Sequence, residues 1–129
     1  MQKTSVALGP IMAIVLALLI GTLIYQNYRT RAVPELSTPY HAVGLVNGQV
    51  FFGRIEGLDG SYTVLRDVFY IQSRQNPETK QVANVLVKRG GEWHAPDRMI
   101  INRQHVMLVE PVKEDSQVAK LIAEQAKPR

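Results

Sequence analysis

Three histidines, a few scattered carboxylates and one tryptophan are the side chains with chemistry to offer, and their spacing limits what that chemistry is. His41, His94 and His105 make up the histidine complement, and no two stand four residues apart as a helical zinc pair requires. Glu92 and His94 fall on one strand face without an identifiable third ligand, so no metal is expected. The chain has no cysteine, which removes disulfides, thiolate zinc sites and a lipoprotein anchor together. Asp59, Asp67 and Asp97 are the carboxylates that could pair as acid and base, but on a small β-domain such residues form turns or stay solvated. No Gly-x-Ser-x-Gly, P-loop or glycine-rich dinucleotide fingerprint occurs. Neither a catalytic residue nor a cofactor is expected, and the chain reads as a non-enzyme.

The segment from Lys88 to Arg98, KRGGEWHAPDR, is the most distinctive. It sets the single tryptophan beside a glycine pair, a proline and charges of both signs, the composition of an interaction hot spot on a loop. Arg89, Trp93, His94 and Arg98 are therefore the candidate partner-binding residues. An arginine beside an indole can engage carboxylates and π-faces alike. The other reading of Trp93 is structural, as a ring that covers one end of the fold. A net charge of +4 favours acidic partners or acidic lipid headgroups. A clustered basic face with interleaved aromatics is missing, so nucleic acid is not the expected partner.

These residues have to be carried by elements, and the first element is unmistakable. Val6 to Tyr25 is an uncharged apolar run between Lys3 and the Arg29/Arg31 pair. As a helix it measures about 30 Å, the thickness of a bilayer's hydrocarbon core, so the expected partner is the lipid bilayer. A cleaved signal peptide would have a shorter apolar stretch and small residues at its end, and a soluble core helix would keep one polar face. Pro10 falls in the first turn, and Tyr25 and Tyr28 at the far boundary suit the headgroup region. Gly9, Ala13 and Ala17 recur every four residues and form a candidate helix-packing stripe. The flanking charges nearly tie and do not set the orientation. The short basic N-tail is the layout of an uncleaved signal anchor, which places the N-terminus in the cytoplasm and the following domain outside the inner membrane.

Beyond the span, residues 1–29 give way to a proline-containing linker at 30–39. Residues 40–112 read as β-structure. Tyr40 to Val46 and Gln49 to Glu56 flank Asn47-Gly48, the dipeptide best suited to a tight hairpin. Tyr62 to Ile71 alternates, with Thr63, Leu65, Asp67, Phe69 and Ile71 on the face expected to be core. Gln81 to Arg89, Met99 to Ile101 and His105 to Glu110 are further short strands. Residues 113–129 switch to helical spacing, with Glu114 and Asp115 leading and Lys120 and Lys127 trailing an amphipathic helix.

Short strands without intervening helices bury enough surface when the sheet curls, which predicts a small five-stranded barrel. Leu45-Val46-Asn47-Gly48-Gln49-Val50-Phe51-Phe52-Gly53 through Asp59, followed by Leu65-Arg66-Asp67-Val68, resembles the first motif of Sm-like, SH3-type small barrels. Ile100-Ile101-Asn102-Arg103 through Val106 and Val109 is loosely similar to the second. The base-contacting Asn of RNA-binding members has no counterpart between Asp59 and Leu65, and Asn102-Arg103-Gln104 replaces the Arg-Gly of the second motif. The resemblance therefore implies a fold and does not carry RNA binding with it. The reading as a whole is of a mainly β, single-pass membrane protein whose domain is an interaction or assembly module, an accessory subunit of a larger membrane complex. The alternatives are an Sm-like nucleic-acid-binding protein facing the cytoplasm and a small-ligand or metal sensor.

Overall fold

The computed structural model describes residues 8–30, 35–58 and 60–128. The start of the apolar run at Val6, the flanking Lys3 and Arg31, the linker residues 31–34 and Asp59 lie outside the described residues. The chain divides into two units, Met1–Val33 and Pro34–Arg129.

The first unit contains one helix, α1, over Leu8–Thr30. Its Leu8–Arg29 stretch has a mean hydropathy of 2.3 and no buried stretch, and it is long and apolar enough to cross a membrane. Pro10 sits in the first turn, where no intrahelical N–H is lost. Gly9, Ala13 and Ala17 lie one above another and are exposed. The Arg29 guanidinium stands 5.7 Å from the Tyr25 ring centroid near the helix C-terminus.

The second unit is mainly β, with six antiparallel strands, one at each stretch read as strand and one more than a five-stranded barrel would have: β1 (His41–Leu45), β2 (Val50–Glu56), β3 (Tyr62–Gln75), β4 (Val82–Lys88), β5 (Arg98–Asn102) and β6 (Val106–Pro111). The Asn47-Gly48 turn forms as its residue types dictate. Gly48 adopts a φ of 85°, and the Leu45 N–H donates to the Gln49 carbonyl at 2.8 Å. The sheet order is β4-β3-β2-β1-β6, with β5 paired to β3 off this path. β3 is long enough to serve three neighbours: β2 along one edge, β5 on its first half from Tyr62 to Arg66, and β4 on its second half from Phe69 to Gln75.

Strict alternation along β3 fails, and the cause is local. Phe52 faces Phe69 and Arg54 faces Arg66, so β3 carries one extra residue opposite Gly53. This is a β-bulge centred on Asp67, which takes a φ of 48°. A Cβ at residue 53 would come within 3.1 Å of the Arg66 carbonyl, which is why glycine stands at the bend. Thr63 and Leu65 point inward as expected, but beyond the bulge Val68 and Tyr70 join the core while Ile71 is exposed. Phe69 is also buried, yet it stands outside the core cluster, with its ring edge-on to Tyr40. Asp67 itself pairs with Arg54 at 3.6 Å and Lys88 at 3.9 Å. The inner cluster gathers Val43, Phe51, Leu65, Val68 and Ile101.

β3 also runs longer than its apolar pattern. Ser73 to Gln75 extend the strand, and Asn76 makes the turn by accepting the Glu78 and Thr79 N–H groups at 2.9 and 3.3 Å. Residues 71–84 are exposed on both faces and form a projecting two-stranded arm. The second helix, α2, spans Gln117–Gln125 and starts later than its leading acids suggested. Ser116 caps it by accepting the Ala119 N–H at 3.1 Å, which leaves Glu114 and Asp115 outside the helix. Ile122 is buried, and Gln125 donates to the Leu86 carbonyl at 2.9 Å, so α2 packs on the sheet.

Candidate interaction surface

The connection from β4 to β5 carries all four candidate contact residues. Its first anchor is the Arg89 N–H, which donates to the Val68 carbonyl at 2.7 Å. Glu92 then folds back as a staple: one oxygen accepts from Arg89 Nε at 2.9 Å and the other from the Gly90 N–H at 2.8 Å. The Ala95 N–H donates to the Glu92 carbonyl at 2.8 Å, and Ala95 takes a φ of 43° ahead of Pro96. At the far end Arg98 grips Asp97 through two hydrogen bonds of 2.8 and 3.1 Å. Arg66 approaches the same carboxylate at 3.9 Å.

This framework holds Trp93 away from the domain. The indole has a relative exposure of 106%, so it covers no part of the sheet and the structural reading of Trp93 does not fit. His94 is exposed beside it. The two arginines are not free cations. Arg89 is drawn into the base of the loop by Glu92, and Arg98 is matched by its neighbour Asp97. Arg89 and Glu92 also form one wall of an open groove of about 540 Å³, whose floor is Val50, Phe52, Tyr70 and Ile71. Glu92 was the residue whose role the spacing did not show, because a carboxylate two positions after a glycine signals a turn brace only once the turn is seen. Among the described residues no group of three or more His, Cys, Asp or Glu is placed to hold a metal ion.

The staple sets a pH limit. The Gly90 N–H, followed by the Arg89 side chain, holds the Glu92 carboxyl below its ordinary value of 4.5. A depressed carboxyl favours the folded loop above its unfolded value and loses that preference as pH falls through the folded one. Trp93 is the sole tryptophan, so its fluorescence reports the loop directly. In a His94→Gln background, which removes the imidazole beside the indole, its emission is expected to hold constant from pH about 7 to about 5 and to change only in more acid solution. A change centred near neutrality would show that the carboxylate does not brace the loop.

No protein-family model matches the chain, and no curated protein matches it. The surface has to be interpreted by its own chemistry. A bare indole on a braced loop, next to an apolar-floored groove, has already met much of the entropic cost of ordering that binding imposes. Such a residue contributes large contact area with few rotatable bonds.

Proposed function

We propose that the chain is a single-pass inner-membrane protein whose β-domain is a non-catalytic interaction module, an accessory subunit of a larger membrane protein complex, with the domain outside the cytoplasm. In this reading α1 is the anchor, residues 30–39 are a proline-stiffened spacer, and the six strands wrap as a small SH3- or Sm-type barrel. Wrapping is supported by the way the last strands are connected. A 3-10 turn at Arg103–His105 joins β5, paired to β3, directly to β6, paired to β1. Val106 and Val109 of β6 pack on the same cluster as Ile101 of β5.

The observation that carries the proposal is the complete exposure of Trp93 on a loop that its own side chains hold rigid. Solvent-exposed tryptophan has no role in folding the chain, and indoles are among the residues that dominate binding energy when a partner covers them. The test is the double variant Trp93→Ala, Arg98→Ala in the full-length protein. It is expected to lose co-purification with the partner subunits in mild detergent, while the domain's stability changes by less than about 1 kcal/mol, as for surface substitutions generally. Retained co-purification would move the interface elsewhere, and a cytoplasm-only reporter active after Arg129 would reverse the sidedness.

A further inference from the structure

A second site lies apart from the Trp93 loop. His41 on β1 and Thr63 on β3 are 3% and 0% exposed, and among the described residues they are the buried polar side chains. His41 Nδ1 and Thr63 Oγ1 have no hydrogen-bond partner, although buried polar atoms are nearly always paired. Both residues border one cavity of about 320 Å³, at the lower end of the range for small-molecule sites. Its walls are aliphatic, from Leu36, Leu58, Val106 and Val109. Ser37 and Pro111 also line it, together with one charge of each sign, Glu35 and Arg103, and neither of these two side chains forms an ion pair among the described residues.

We infer that this cavity binds a small zwitterion with an aliphatic body, namely an aliphatic α-amino acid. Arg103 and the Thr63 hydroxyl suit a carboxylate, since guanidinium and hydroxyl both donate to it. Glu35 suits an ammonium group. Burial lowers the His41 imidazole's pKa from its ordinary value and so favours the neutral ring, which in one tautomer donates from Nδ1 to the carboxylate. The aliphatic walls take a branched side chain. A carboxylate without an amine would meet Glu35 as a like charge, and an amine without a carboxylate would leave Arg103, Thr63 and His41 unanswered. Both polar atoms are out of contact with water, so a ligand that bonds to them has to displace the side chains that cover them.

The experiment uses the full-length protein in detergent, titrated with L-leucine and followed by calorimetry and by the His41 ring resonances. Leucine is expected to bind and to shift the His41 signals. Isovalerate, which lacks the amine, and leucine amide, which lacks the carboxylate, are each expected to bind about tenfold more weakly or worse, the loss of one charge-assisted contact. Thr63→Val is expected to weaken leucine binding by a similar factor without lowering the melting temperature, because it removes a buried hydroxyl that has no partner. Arg103→Gln, at an exposed position, gives the same comparison should Thr63→Val disturb folding. Absence of any heat or His41 shift with leucine, valine or isoleucine up to about 10 mM would overturn the inference. So would unchanged binding in both variants, or isovalerate binding as tightly as leucine.

Discussion

Leu65→Ala is expected to lower the unfolding free energy of the β-domain by about 3–5 kcal/mol, the upper part of the range for truncating a buried leucine. Leu65 is fully buried on β3, between Ile55 of β2 and Met99 of β5 in the pairing register. Its surroundings have little freedom to collapse into the space it would leave. The bulge fixes the backbone on one side, where a Cβ on Gly53 would lie 3.4 Å from that of Leu65. The paired strands fix it on the other. Domains of this size are stable by about 5–15 kcal/mol, so the variant should sit near the edge of folding. Denaturant titration followed by circular dichroism measures the change directly. Phe69→Ala is expected to cost a comparable amount through a different surface, since that ring is buried against Tyr40 outside the inner cluster. A loss under about 1 kcal/mol at Leu65 would mean that the inner cluster is not the domain's main store of stability.

Carbonate or high-salt extraction is expected to leave the full-length chain in the membrane fraction. A peripheral basic domain held by charge is released by salt, whereas insertion of a spanning helix is effectively irreversible. The large apolar side chains of α1 are exposed: Leu16, Leu19 and Leu23 each expose more than half their surface. Burial in hydrocarbon is the environment in which such a helix is stable. Leu16→Arg at mid-helix is expected to cost about 3 kcal/mol of insertion free energy and to shift a measurable fraction out of the membrane. Mass analysis of the membrane-bound product settles the remaining choice. A product lacking the residues of α1 would identify a removed signal sequence and defeat the anchor.

The parts of the fold that were legible from sequence are those set by neighbouring residues. Apolar length alone marked α1, and Asn47-Gly48 located the first hairpin because its φ requirements are local. The β3 pattern misled beyond Leu65 because the bulge depends on Gly53, across the sheet, and alternation along one strand carries no trace of an extra residue in the pairing. The late start of α2 is a contest between Ser116 as cap and two acids as dipole partners, and the hydrogen bond to the helix N-terminus prevailed. In the candidate surface the residue types were legible and their states were not. Arg89 reads as a free cation until Glu92 is seen to hold it, and tryptophan is equally at home inside or outside. His41 and Thr63 came together only through topology, since they stand on strands that are far apart in sequence.

The three partners of β3 also imply an order of assembly. β2 and β4 reach it through hairpins, which close short loops at small entropic cost, whereas β5 pairs with it across the whole of β4 and the loop that follows. β1 and β6 are different, because His41 aligns with Pro111 and nearly the whole domain lies between them. That closure has to wait for β6 to emerge during synthesis. Until then β1 presents one unpaired edge, and contacts of such long sequence separation form slowly. A chain shortened to end before β6 is therefore expected to leave β1 with one edge open to pairing with other chains.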